Sequence, residues 1–452
     1  MGGEKQQTST FKSELYQPCF EADWYNHILY DLAEWANGLA FRSIHFSPQG
    51  KPVIKIAEMK NGISSQTKFT EGHFDQIYHV AYGDMLFSWS GQPETSIDVF
   101  IWRGPDGWLN QHIFKVHPKR QCDKQFFFYL LRYLKPNFVR IARNKQTTGL
   151  GHVTKKDLRN ISVKLPPLPE QRAIAHILGS LDNKIELNHR MNHTLEAMAK
   201  AIFKSWFVDF DPVRAKAEGR PTGLPDDIAA LFPDSFENSE IGEIPKGWEV
   251  KPIGQVVKCV GGSTPSTKNP AFWAGGKNPF VTPKDMSSLT SPVILDTSRY
   301  ITDAGVAKIS SGRLPSGTVI LSSRAPIGYL AITEVTVSVN QGVIAMICNK
   351  DLPNHYVLYW TETNMETIKS NASGTTFAEI SKRNFRPMPV AVPVKPVLDA
   401  FVQQVEPLHR QLVLNLQESA TLARLRDTFL PKLISGELRI PDSAKFLEEA
   451  GL

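Results

Sequence analysis

The chain has 452 residues, too many for one hydrophobic core, so at least two domains are expected. Hydrophobic residues at 41% and charged residues at 21% exclude a disordered chain, and no apolar run approaches the roughly 18 residues of a membrane span. The net charge of +6 is unevenly spread: Phe207 to Glu249 carries ten acidic against four basic residues, a net of −6, so the rest carries +12.

The opening segment, MGGEKQQTSTFKSE, is polar and lacks a signal-peptide core. Gln6 stands where a myristoylation signal needs Ser or Thr. Four scattered cysteines (Cys19, Cys122, Cys259, Cys348) form no C-x-x-C pair and favour a reducing cytoplasm. Alternating apolar runs predict strands at Val53–Ala57 and Met85–Trp89, and Lys124–Leu134 reads as a helix. Lys135 to Lys164 is the densest basic stretch, with eight cations against Asp157 alone. That suits phosphate neutralisation, although a solvated basic face reads the same way.

Pro166, Pro167 and Pro169 stop the preceding strand and open a long helix ending near Asp209–Pro212. An acidic, Pro/Gly-rich stretch follows and reads as a linker. Further strands are predicted at Val319–Ser323, Val335–Val339 and Gly342–Cys348. Pro393 and Pro396 open a second long helix that ends after Ser435, with Gly436 as its cap.

The halves resemble each other at a shift of 227 residues. GKPVIKIAEM (50–59) falls on KNPFVTPKDM (277–286), and HVTKKDLR (152–159) falls on EISKRNFR (379–386). With small gaps, GDMLFS (83–88) matches GTVILS (317–322) and LNQHIFKV (109–116) matches VNQGVIAM (339–346). Order is kept throughout, the mark of a duplication. The shift extends into the helices. Leu178, Leu181, Ile185, Asn188, Asn192, Leu195, Ala199, Ile202 and Trp206 alternate at 3 and 4 spacing. Val405, Leu408, Leu412, Asn415, Ser419, Leu422, Arg426, Phe429 and Leu433 do the same. Such heptad seams need a partner, and each copy is the natural partner of the other. Asn188 and Asn415 take equivalent seam positions, where a polar residue fixes register. Two helices each packed on its own domain is the alternative.

Catalytic signatures are missing. No Walker loop, G-x-G-x-x-G unit, H-E-x-x-H pattern or G-x-S-x-G elbow occurs. Asp226, Asp227 and Asp234 lie in the acidic stretch without a nearby Lys, and His189 and His193 read as exposed flanks of the helix.

LPPLPEQRAIAHILGSLDNKI (165–185), the WFVDFDPVRAKAEG junction (206–219) and FLPKLISGEL (429–438) resemble the repeats of specificity (S) subunits of Type I restriction–modification systems. GGSTPSTKNPAFW, TPKDM, SSRAPIGYLAI and VNQGVIAM resemble that family's second target-recognition domain. The resemblance runs from Trp24 to Leu438 and is looser in the first domain. It implies a mixed α+β chain: two target-recognition domains joined by two long antiparallel coiled-coil helices, with pseudo-twofold symmetry. The segments would be 1–165 and 247–393 for the domains, 166–209 and 394–437 for the helices, 210–246 for the linker and 438–452 for the tail. It further implies a cytoplasmic, non-enzymatic subunit that reads a bipartite target in double-stranded DNA. The subunit binds two modification and two restriction subunits. No cofactor is expected on this chain; S-adenosylmethionine, ATP and Mg2+ belong to the partners. A single-chain nuclease or methyltransferase with an unrecognised site, and a protein adaptor, remain as alternatives.

Base readers should carry bidentate hydrogen-bonding groups, with Arg suiting guanine and Asn or Gln suiting adenine. In the first domain the candidates are Lys55, Lys60, Asn61, Trp89, Gln111, Arg143, Lys145, Gln146 and Thr147. In the second they are Ser263, Thr264, Lys268, Lys284, Arg324, Gln341, Ser373, Thr375 and Thr376. Lys155, Lys156, Lys382 and Arg383 suit phosphate, which positions without specifying. Gln111 and Gln341 can equally serve a turn. Asp182, Lys184, Glu186 and Arg190 are candidates for docking partner subunits on the outer helix face.

Overall fold

A computed structural model describes residues 24–146, 149–374, 378–440 and 442–451. Contacts divide the chain into two compact units, residues 1–183 with 422–452 and residues 184–421. Each unit holds one sheet-rich domain and part of each of two long helices, the central Leu168–Phe207 and the distal Lys395–Ser435.

In the first unit a four-stranded antiparallel sheet has the order Ala33–Asn37, Ile113–Pro118, Met85–Ser88, Asp98–Ile101. A second sheet is centred on Lys51–Ile54, which runs parallel to Gly107–Leu109 with Val53 opposite Trp108. Helices Lys124–Tyr133 and Lys135–Asn144 belong to the same unit. Phe87, Phe126, Phe127 and Phe138 are fully buried in a core shared with Ile174 and Leu178 of the central helix and Leu433 of the distal one. The Asp123 carboxylate caps the first of these helices by accepting from the Gln125 and Phe126 amides.

The second unit repeats the plan. Its larger sheet has the order Lys258–Gly261, Val343–Ile347, Val319–Ser322, Leu330–Thr333, Val293–Ile294. Asn278–Val281 runs parallel to Ser338–Val339 with Phe280 opposite Ser338, the counterpart of Val53 at the 227 shift. Asn354–Thr363 and Met365–Ser370 match the helix pair of the first unit. The core joins Tyr356, Phe385 and Val390 to Phe203 and Phe207 of the central helix and Phe401 of the distal one. Even the local caps recur. Thr154 and Ser381 cap short helices that start at Lys155 and Lys382, and buried Glu58 and Asp285 accept from the backbone amides three residues before them.

The long helices behave as the spacing predicts. Every one of the eighteen seam residues named from sequence is buried or half-buried. In the second unit rising numbers in one helix meet falling numbers in the other, Asn188 and Asn192 against Ser419 and Leu412, so the helices run antiparallel there; in the first, Asp182 meets Arg426. Gly436, at φ +80°, closes the distal helix in the left-handed conformation that favours glycine.

Four readings need correction. The stretch 210–246 is folded, not a bare linker. It forms helices Asp211–Ala217 and Asp226–Ala229 and a hairpin of Phe236–Ser239 with Gly242–Pro245. Val213, Phe232 and Ile244 drive this, because all three are buried in the core of the second unit. The tail also folds: Arg439 pairs with Glu170 at 2.7 Å, and Phe446 of helix Ser443–Glu449 lies against His176. Finally, Val335–Val339 contributes only Ser338–Val339 to a sheet, and the strand read as Val53–Ala57 ends at Ile54 because Glu58 caps a helix starting at Ile56.

Candidate nucleic-acid interface

In the first unit, strand Met85–Ser88 delivers Trp89 to a half-exposed aromatic cluster. Its indole donates to the Asn37 carboxamide oxygen at 3.0 Å and stacks on Phe114 at 5.5 Å. His112 and His152 flank it at 5.6 and 6.0 Å. Gln111 adjoins His112, its amide 3.1 Å from the ring nitrogen, and the Lys155 ammonium lies 5.6 Å from the Phe114 ring centre. Trp89, Gln111 and Lys155 are therefore brought together. Burial and the neighbouring His152 both press the His112 pKa below its ordinary value.

Other first-domain candidates are engaged within the fold. Arg143 is paired with Glu94, and its hydrogen bond holds that carboxyl below the usual range. Lys145 pairs with Asp157 at 2.5 Å. Burial pushes the Asp157 carboxyl up, but hydrogen bonds from Lys145 and Thr154 outweigh this and hold it low. Gln146 donates to the Gly149 carbonyl at 2.6 Å, Lys60 to the Thr95 carbonyl, and the Lys55 ammonium sits 5.1 Å from the Phe46 ring centre. Asn61 and Lys156 are exposed.

In the second unit, Thr264 donates to the Gln341 side-chain oxygen at 2.5 Å, which orients that carboxamide. Ser263 donates to the Lys308 carbonyl at 3.3 Å. Gly261 lets Lys382 approach: an added Cβ there would lie 2.7 Å from the ammonium. Arg324 faces Glu379 at 3.5 Å, and Ser373 pairs with Glu379 through the backbone. Lys268, Lys284 and Arg383 are exposed and join none of these groupings. Thr147, Thr375 and Thr376 lie outside the described residues.

Sequence reasoning missed Asn37, His112, His152 and Glu379. The 227 shift pairs His152 with Glu379, a signal that was available. Of the docking candidates, Asp182 is not on a free outer face. It receives bonds from Tyr129 at 2.8 Å and Arg426 at 2.7 Å. Lys184 pairs with Glu418 at 3.2 Å, while Arg190 is exposed. Among the described residues no group of three His, Cys, Asp or Glu side chains could hold a metal ion, and no helix is long and apolar enough to cross a membrane.

The family described as the Type I restriction modification DNA specificity domain matches twice, over residues 21–197 and 245–410. The chain is 38% identical over 440 residues to the Type I restriction enzyme MjaIX specificity subunit of Methanocaldococcus jannaschii, covering 87% of this chain and 94% of that one. It is 27% identical over 404 residues to the HindI specificity subunit of Haemophilus influenzae, covering 79% and 86%. The crystal structure of an S subunit from M. genitalium has the same fold, with a TM-score of 0.55 at 15% identity over 91% of this chain and 96% of that one. With both copies of its repeat matched, the chain belongs to the Type I restriction–modification specificity-subunit family.

Proposed function

We propose that this chain reads a bipartite DNA target, one half-site per recognition domain, and scaffolds the modification and restriction subunits of a Type I complex. The observation that carries this is the double family match, each match spanning one of the two repeated sheet-and-helix domains. The stoichiometry proposed is two modification and two restriction subunits, in the cytoplasm. S-adenosylmethionine, ATP and Mg2+ would act on those subunits, leaving this chain no catalytic step.

A continuous helix of 40 residues is about 60 Å long at ~1.5 Å per residue. That the helix pair acts as a ruler for the spacer between half-sites is part of the same proposal. Lys156, Lys382 and Arg383 would hold phosphate, and Trp89, Gln111, Arg324 and Gln341 would face base edges.

Replacing residues 247–393 by another recognition domain tests the division of labour. Mapping methylated adenines with the modification subunits present should show one half-site changed and the other intact. A change in both would refute it. So would adenine methylation or DNA cleavage by the purified chain alone.

A further inference from the structure

The two recognition domains share one backbone crossing and fill it with different side chains. In the first, the Trp89 amide donates to the His112 carbonyl at 3.2 Å, and the Trp89 carbonyl accepts from the Val153 amide at 2.8 Å. In the second, the Ser323 amide donates to the Gly342 carbonyl at 2.9 Å, and the Ser323 carbonyl accepts from the Ile380 amide at 3.0 Å. Val153 and Ile380 are equivalent at the 227 shift, and each crossing joins the same three chain segments. The next residue along repeats the pattern: Ser90 pairs across with His152, and Arg324 with Glu379.

The side chains at that pairing have diverged completely. Ser90 Oγ lies 2.8 Å from His152 Nδ1, whereas the Arg324 guanidinium lies 3.5 Å from the Glu379 carboxylate. The main chain is held and the chemistry is free. A domain that keeps its fold while its target changes needs such a position.

The exposed state of the second pair matters. Arg324 and Glu379 side chains are 37% and 42% exposed, and their contact is long. A surface pair of this kind contributes little to stability, so DNA can separate it cheaply. A guanidinium fork suits guanine O6 and N7, and a carboxylate accepts from the cytosine amino group. The partners of one G·C pair are therefore matched by the two groups that face each other here. In the first domain Ser90 is buried and holds His152 by Nδ1, which leaves Nε2 for a base edge beside Trp89.

We infer that the Arg324–Glu379 crossing reads one G·C pair in the second domain's half-site, and that His152, positioned by Ser90, reads the corresponding base pair in the other. This rests on the proposed reading of DNA by both domains.

The test uses the full chain with its modification subunits in cells lacking other adenine methylation. Methylated-adenine motifs are mapped for the unaltered protein, Arg324→Ala, Glu379→Gln and His152→Ala. Arg324→Ala and Glu379→Gln should each cost about ten- to a hundredfold in discrimination at one G·C position of one half-site. The other half-site should stay intact, which also reports that the protein folds. His152→Ala should show the reverse. Glu379→Gln preserves shape, so it decides the matter if Arg324→Ala yields no methylation. Unchanged motifs, even relaxation across both half-sites, or relaxation at an A·T position overturn the inference while leaving bipartite reading in place. An unaltered protein whose motif is absent or not bipartite overturns the reading beneath it.

Discussion

The two units fasten their recognition domains to the long helices at equivalent places, with different chemistry. In the first, Asp182 of the central helix accepts from Tyr129 of the domain and from Arg426 of the distal helix, with Arg132 at 3.4 Å. In the second, the residue 227 positions further on is His409, which meets Glu334 of its domain at 2.7 Å. Gly179 and Glu406 are likewise equivalent. Gln125 covers Gly179 so closely that an added Cβ would lie 2.0 Å from its amide nitrogen, whereas Glu406 meets His355 at 2.8 Å. The place of attachment has been kept and the bond has not. Packing geometry constrains where a helix touches a domain, but any satisfied polar pair can serve there.

The broadest test of that comparison removes apolar anchors. Phe203 is 3% exposed among Phe207, Tyr356, Tyr359 and Phe401, so Phe203→Ala should destabilise the second unit by about 3–5 kcal/mol. Leu178→Ala should cost the first unit about 2–5 kcal/mol. Hydrogen exchange during denaturant titration should locate each loss in its own unit; equal loss in both would show that they unfold as one.

A smaller effect separates the latches. Asp182→Ala leaves the Tyr129 hydroxyl without its acceptor and takes one of two carboxylates from the Arg426 guanidinium, which keeps Asp427 at 2.7 Å, and should cost about 2 kcal/mol after allowing for partial exposure. His409→Ala removes one bond to a partly exposed carboxylate and should cost about 1 kcal/mol. Chemical denaturation of the two variants ranks them, and a reversed order would mean that the second latch is the stronger.

Acid gives the smallest and most selective test. Burial and the neighbouring His409 lower the His355 pKa below 6.5, against opposing pulls from Glu406 and Glu334. The unfolded chain then takes up the proton more readily than the folded one. Stability from this group is full above about pH 6.5 and falls as pH drops through the folded value. The Glu406 carboxyl is held below 4.5 by His355 and Arg410 despite burial, so its contribution is present above that value and is lost only at lower pH. Between pH 7.5 and 5.5, hydrogen-exchange protection, corrected for the intrinsic slowing of exchange at lower pH, should fall in residues 395–421 and not around Asp182. His355→Gln should abolish the difference.

The seams were legible because a heptad is a local pattern, and Leu178 or Val405 announces its burial by spacing alone. The polar layer was legible only in part. Asn188 and Asn415 do occupy the seam, but the Asn188 amide donates to the Asn415 backbone carbonyl, Ser419 and Glu418, while the Asn415 side chain bonds Asn192. The register device is thus a ladder over several residues. Acidic, proline-rich composition hid the fold of 210–246, because its anchors are scattered: Val213, Phe232 and Ile244 are buried, and Phe210, Leu224, Ile228, Leu231 and Phe236 pack beside them. Arg143 and Lys145 looked free for DNA since Glu94 lies 49 residues away from the first and Asp157 lies 12 residues from the second. Charge partners of that kind are set by tertiary structure, which spacing does not encode.

The fold-back of the tail spreads the first core over both ends of the described chain. Trp24 meets Glu170 at 3.3 Å, Arg439 grips the same carboxylate, and Leu433 and Ile434 fill the first core. Residues 184–421 form the second unit from one uninterrupted stretch, whereas the first unit needs residues 422–452. On the ribosome the core of the half made first is therefore completed only by residues made after the whole of the other half's stretch.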